Sequence, residues 1–160
     1  DAAARVQLAI NLTMRRNHRA ALAELGKALK IAPHDTDARL RVGNAHYFMK
    51  DYAQALENYS LAVKKDPLDP NAHNDLGLGY FALRRNEEAI ESFSRAIALN
   101  PLADRYYRNR ASVWAILQKF GNAAGDLRTA SKVNTDPSLV EEYRKLIEEA
   151  QARAAGGKSP

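Results

Sequence analysis

The 160-residue sequence predicts an all-α solenoid built from antiparallel helix pairs. Three observations carry this reading. Pro33, Pro67 and Pro101 recur at a constant spacing of 34, and a fixed period of that size marks a stack of similar supersecondary units. Two alanine series keep the same spacing: Ala21, Ala55, Ala89 and Ala123, then Ala28, Ala62, Ala96 and Ala130. Inside each unit the apolar residues return every three or four positions, as in Leu76, Tyr80 and Leu83 or Ala89, Ile90, Phe93 and Ala96. That is the stripe of a helix and not the alternation of a strand.

Four units follow, at 2–35, 36–69, 70–103 and 104–137, each expected to hold two helices. Asp35 before Thr36 and Asp69 before Pro70 suit N-cap positions, and a first-turn proline costs no hydrogen bond. Ala9, Gly43, Gly77 and Ala111 share one position in the repeat and are expected to face the first alanine series, because small residues let helix axes approach closely. Beyond the fourth unit, Leu139, Tyr143, Leu146, Ile147 and Ala150 form one apolar stripe, with Glu141, Glu142, Glu148 and Glu149 on the wet side. A terminal repeat needs such a cover, so residues 138–153 are expected to be a capping helix and 154–160 a flexible tail. The start at Asp1 without methionine and the end in Gly156-Gly157-Lys158-Ser159-Pro160 lead us to expect an excised fragment or a processed product.

These residues resemble the tetratricopeptide repeat family. The third unit reads His73-x-x-Leu76-Gly77-x-x-Tyr80, then Ala89, Phe93, Ala96 and Pro101, and departs from the pattern in its opening tryptophan. The second has Val42-Gly43, His46, Ala55, Tyr59, Ala62 and Pro67, and the first Leu8-Ala9, Leu12, Ala21, Leu25, Ala28 and Pro33. The fourth diverges, with Arg110 where the family buries leucine, Trp114 where it prefers tyrosine and Thr135 where the closing proline belongs. The resemblance implies a right-handed superhelix whose concave groove is lined by the first helix of each pair. It places the groove positions on Leu40, Asn44, Tyr47 and Phe48, on Asn71, Asn74, Leu78 and Phe81, and on Arg105, Arg108 and Ser112.

The implied activity is protein–protein interaction, with a partner's extended segment held in the groove and Asn44, Asn74 and Arg108 as polar anchors. Amide side chains both donate and accept, which suits a peptide backbone, and the aromatics offer walls. Charge points to an acidic segment. The chain carries 24 Lys plus Arg against 19 Asp plus Glu, and the first helices hold Arg5, Arg39, Arg41, Arg105, Arg108 and Arg110. Arginine's planar fork matches a carboxylate. Some relatives clamp the C-terminal carboxylate of chaperones, which is an alternative here. Val6, Ile10, Leu40 and Leu78 stand where that clamp needs polar or cationic groups, and apolar walls do not compensate a buried carboxylate.

Other classes find less support. His18, His34, His46 and His73 lack metal-ligand spacing, and no phosphate loop, nucleophile elbow or zinc-helix motif is present, so neither an enzyme nor a cofactor or metal site is expected. A sequence pI near 9.5 and arginines interleaved with Tyr106, Tyr107 and Trp114 raise an RNA-binding helical repeat as a lesser alternative. Such a code repeats its reading residues, whereas the inner positions here vary. Asn11-Leu12-Thr13 and Asn58-Tyr59-Ser60 match the glycosylation pattern but fall inside expected helices. The strongest apolar stretch, 76–83, is far shorter than the roughly 18 residues of a spanning helix. There are no cysteines. Self-association through the open ends of the stack is a further partner expectation.

Overall fold

A computed structural model describes residues 1–156 and, among them, nine α-helices and no strand. They form two compact units, Asp1–Arg84 and Arg85–Pro160, and the boundary falls inside the third repeat. The first unit holds α1 (Ala2–Met14), α2 (His18–Ile31), α3 (Thr36–Phe48), α4 (Tyr52–Lys65) and α5 (Pro70–Ala82). The second holds α6 (Asn86–Leu99), α7 (Asp104–Ile116), α8 (Phe120–Val133) and α9 (Pro137–Gly156). Helix α9 runs to Gly156, so 154–156 continue a helix where a flexible tail was expected; 157–160 lie outside the described residues.

Each helix start in the first unit is capped by a side chain. The Asp35 carboxylate accepts from the Ala38 amide at 2.9 Å and the Asp69 carboxylate from Asn71 at 2.8 Å, satisfying donors that a first turn leaves open. Asp1, Asn17 and Asp51 do the same for α1, α2 and α4. The first helices also end alike. Arg16, Lys50, Arg84 and Gln118, again 34 apart, all have positive φ, from 58° to 64°. The turn lets the Asn17 amide reach back to the Leu12 carbonyl, Asp51 to His46 and Lys119 to Trp114, closing carbonyls the helix end leaves unmet. None of the four is glycine, so each carries the steric cost of a left-handed side chain, about 1–2 kcal/mol.

The turn into the next pair is fastened by a residue six positions after each closing proline. The Tyr107 hydroxyl donates to the Pro101 carbonyl at 3.1 Å, His73 Nε2 lies 2.9 Å from the Pro67 carbonyl, and the Arg39 guanidinium donates to Pro33 at 3.4 Å. Three unlike side chains therefore do one job, which accounts for His73 and Arg39 without a ligand.

The core of the first unit shows what Gly43 is for. A Cβ there would lie 2.4 Å and 2.6 Å from two carbons of the Tyr59 ring. The nearest neighbour is thus the Tyr59 ring. Tyr59 is 1% exposed, and its hydroxyl donates to Asn44 Oδ1 at 2.7 Å, so the ring is held at both ends. Where the first helix carries alanine instead, the second carries leucine: Ala9 and Leu25 share one core, and Ala111 and Leu127 another. Glycine meets an aromatic; alanine meets the smaller leucine.

In the second unit, Arg110 replaces the family's buried leucine. Its guanidinium binds Asp126 through two bonds of 2.8 and 2.7 Å and reaches Ser94 Oγ at 2.7 Å. The Asp126 hydrogen bonds push Arg110 above its usual range despite burial. A bidentate pair of this kind satisfies charges that packing alone could not. Helix α9 docks through Tyr143, fully buried among Tyr107, Ala123, Leu127 and Ala130, with Leu139, Leu146 and Ile147 around it. The Tyr143 hydroxyl donates to Asp104 Oδ2 at 2.5 Å, and the Asn134 amide donates to the same oxygen at 2.8 Å. Burial works against the Asp104 charge, yet the hydrogen bonds from Tyr143 and Asn134 outweigh it and hold the carboxyl below its ordinary range. Burial and the Asp104 bond push the Tyr143 phenol up to about 12.

Gly43→Ala should cost about 1–3 kcal/mol in chemical denaturation, since the pinned ring cannot yield; an unchanged midpoint would mean the ring is free to move. The Tyr143–Asp104 bond sets a pH window. A depressed carboxyl contributes stability above its unfolded pKa of about 4 and loses it as pH falls below. A raised phenol contributes below its unfolded pKa of about 10 and loses it as pH climbs toward the folded value. The Tm gap between the wild type and Tyr143→Phe should therefore be widest from about pH 4 to 10 and shrink at both ends. A gap constant from pH 3 to 11 would contradict this.

Candidate functional site

The first helices place the expected groove residues unequally. In the first unit a pocket of about 140 Å³ opens between α1 and α3, lined by Ile10, Thr13 and Met14 on one side and by Arg41, Asn44 and Phe48 on the other. Phe48 is 60% exposed and Met14 79% exposed, and both line this pocket, so their apolar surfaces adjoin at one place. The His18 ring stacks on Phe48 at 5.2 Å, nearly parallel. Tyr47 meets Phe48 edge-on at 6.1 Å and Tyr52 at 5.4 Å, so Phe48 is presented by an aromatic support. Asn44 has committed its carbonyl oxygen to Tyr59, and what it can offer a partner is its amide donor pair. Arg41 pairs with Asp37 at 2.7 Å along the exposed face of α3.

Two expected groove residues are corrected. Leu40 is 8% exposed and packs in the core with Ala55, Tyr59, Ala72 and Leu76. Asn74 is 5% exposed and its amide donates to Asp75 at 3.1 Å, so it cannot serve as a surface anchor. Asn71 is exposed in the first turn of α5, while Leu78 and Phe81 are half-buried on the same helix. Val6, like Leu40, is buried where a carboxylate clamp would need a polar group.

In the second unit, Arg108 and Ser112 line a separate pocket of about 170 Å³. The Ser112 hydroxyl is turned back to the Arg108 carbonyl at 3.1 Å. Arg105 lies over the Tyr106 ring, 5.0 Å from its centre, and also bonds its hydroxyl. The arginine excess on the first helices is thus largely spent inside the chain: Arg5 binds Glu24 at 2.8 Å, and Arg41, Arg105 and Arg110 have the partners already named. Among the described residues no group of three His, Asp or Glu side chains could hold a metal ion, and no helix is long and apolar enough to cross a membrane.

Sequence reasoning did not count Arg41 or Met14 of the first pocket among its site residues, nor His18, which stacks on Phe48. A signal for Met14 existed, because it stands 34 residues before Phe48, at the last position of a first helix.

Two family models of the tetratricopeptide repeat match the chain, over residues 12–74 and 70–101. The chain belongs to the tetratricopeptide repeat family. Solved structures agree on the fold. TTC0263, a thermophilic tetratricopeptide repeat protein of Thermus thermophilus, is 23% identical with a TM-score of 0.82, covering 98% of this chain and 89% of that one. A MamA fragment from Desulfovibrio magneticus RS-1 is 25% identical with a TM-score of 0.76, covering 83% of this chain and 75% of that one. A further MamA structure is 19% identical with a TM-score of 0.72, over 96% and 88%. Comparison with curated proteins returns no match. The fold class is the all-α helical repeat solenoid that the spacing predicts. A chain of this fold is a protein–protein interaction module.

Proposed function

We propose that this tetratricopeptide repeat chain is a binding scaffold and not an enzyme, and that it holds an extended, acidic segment of a partner protein against α1 and α3. The supporting observation is the α1–α3 pocket, which joins apolar Met14 and Phe48 to the amide donors of Asn44 and the guanidinium of Arg41. An inserted apolar side chain would cover the exposed phenylalanine and methionine, while Asn44 donates to the incoming backbone. Arg41 is available at little cost, because an exposed ion pair such as Arg41–Asp37 is worth only about 0–1 kcal/mol and a partner's carboxylate can take Asp37's place. Of the expected anchors, Asn44 and Arg108 keep a place at a pocket and Asn74 does not.

The test replaces Arg41 and Phe48 by alanine and leaves Asn44 intact, since Asn44 also props Tyr59 in the core. Partners found by affinity purification should bind this variant on the order of tenfold more weakly or worse, with unchanged helicity by circular dichroism. Undiminished binding would remove the α1–α3 surface from the account.

A further inference from the structure

The pocket of the second unit carries more than Arg108 and Ser112. It forms where α7, α8 and α9 meet, and its walls include the small side chains of Ala111, Ala115, Ala123 and Ala150. Alanines on three helices leave room that larger residues would fill, so the space of about 170 Å³ suits a single aliphatic side chain. Helix α9 is fastened by Tyr143 to Asp104, and Glu149, Ala150 and Arg153 of its later turns line the pocket.

Charge identifies what accompanies the aliphatic group. Arg108 of α7 and Arg153 of α9 both line the pocket, and neither is within ion-pair distance of a carboxylate among the described residues. Arg153 rests over the Phe120 ring, 5.9 Å from its centre, which holds the guanidinium at the pocket without neutralising it. Asp104 acts on Arg108 through space, without an ion pair, while its Oδ2 accepts from Tyr143 and Asn134. Glu149 is the one carboxylate lining the pocket, against two guanidinium groups.

We propose that this pocket is a second recognition site, taking one aliphatic side chain of a partner peptide with an adjacent Asp or Glu carboxylate held by Arg108 and Arg153. It is built within the second unit and does not depend on the α1–α3 surface. Helix α9 then has two roles, covering the apolar face of α7 and α8 and contributing half of a binding site.

The test is a random peptide display library selected on the full chain. The wild type should enrich sequences with Leu, Ile or Met beside Asp or Glu. Arg153→Glu, an exposed change, should lose that acidic preference, and the best selected peptide should bind Arg108→Gln/Arg153→Gln on the order of tenfold more weakly in fluorescence anisotropy. Ala115→Leu fills the pocket from a half-buried position and should abolish the enrichment with helicity intact. The proposal is overturned if no such consensus emerges, if Arg153→Glu selects the same peptides, or if Ala115→Leu leaves them bound. It is equally overturned if the Arg41→Ala/Phe48→Ala variant alone loses them, which assigns the peptides to the first unit.

Discussion

The crossing of a first helix over its second helix sets the terms for everything else in this chain. Two helices approach closely only where one presents a small residue to a large one, and the chain solves this twice over with different pairs. Gly43 lies against Tyr59 so tightly that a methyl group would enter the ring, whereas Ala9 and Ala111 share cores with the shorter Leu25 and Leu127. The choice of pair reaches the surface. Tyr59 is long enough to place its hydroxyl on Asn44, and that bond decides which end of the Asn44 amide remains for a partner. A packing constraint in the core thereby sets the chemistry of the α1–α3 pocket.

The second unit meets the same demand with polar groups. Arg110 occupies a leucine position; its charge is matched by Asp126 of α8, and Ser94 of α6 accepts a further hydrogen bond. Such a network ties three helices together through directional bonds, and removing one partner would strand the other in a low-dielectric setting. Asp104 does comparable work at the start of α7, where it receives Tyr143 of α9 and Asn134 after α8. Both units thus use side chains on the first helices for internal fastening, which is why a basic first helix is a weaker sign of an acidic ligand than residue counts suggest.

Much of the fold was legible in the sequence because the repeat writes the same physical requirement several times. The alanines at 21, 55 and 28, 62 are buried, and the caps at Asp35 and Asp69 form as their chemistry predicts. The site was less legible. Helix α5 packs on α4 and α3, so its exposed strip is narrow, and a shift of one position along the helix separates exposed Asn71 from buried Ala72. Leu40 and Asn74 fell on the buried side of that strip. The partners that consume Asn44, Arg105 and Arg110 come from 15 or 16 residues away or from a neighbouring ring, and no local pattern announces them. The length of α9 was also hidden, since alanines after Ala150 favour helix without marking its end.

Paired residue sizes at the helix crossing, and not the identity of any one residue, hold together the helix pairs that lie within one unit. Transplanting the glycine–aromatic solution into the first pair measures this most directly, using equilibrium denaturation of Ala9→Gly, Leu25→Phe and the double variant. Each single change should lose stability, and the double should recover at least about 1 kcal/mol beyond their sum, as contacting residues do. Losses that simply add, to within about 0.5 kcal/mol, would contradict the size-pairing rule.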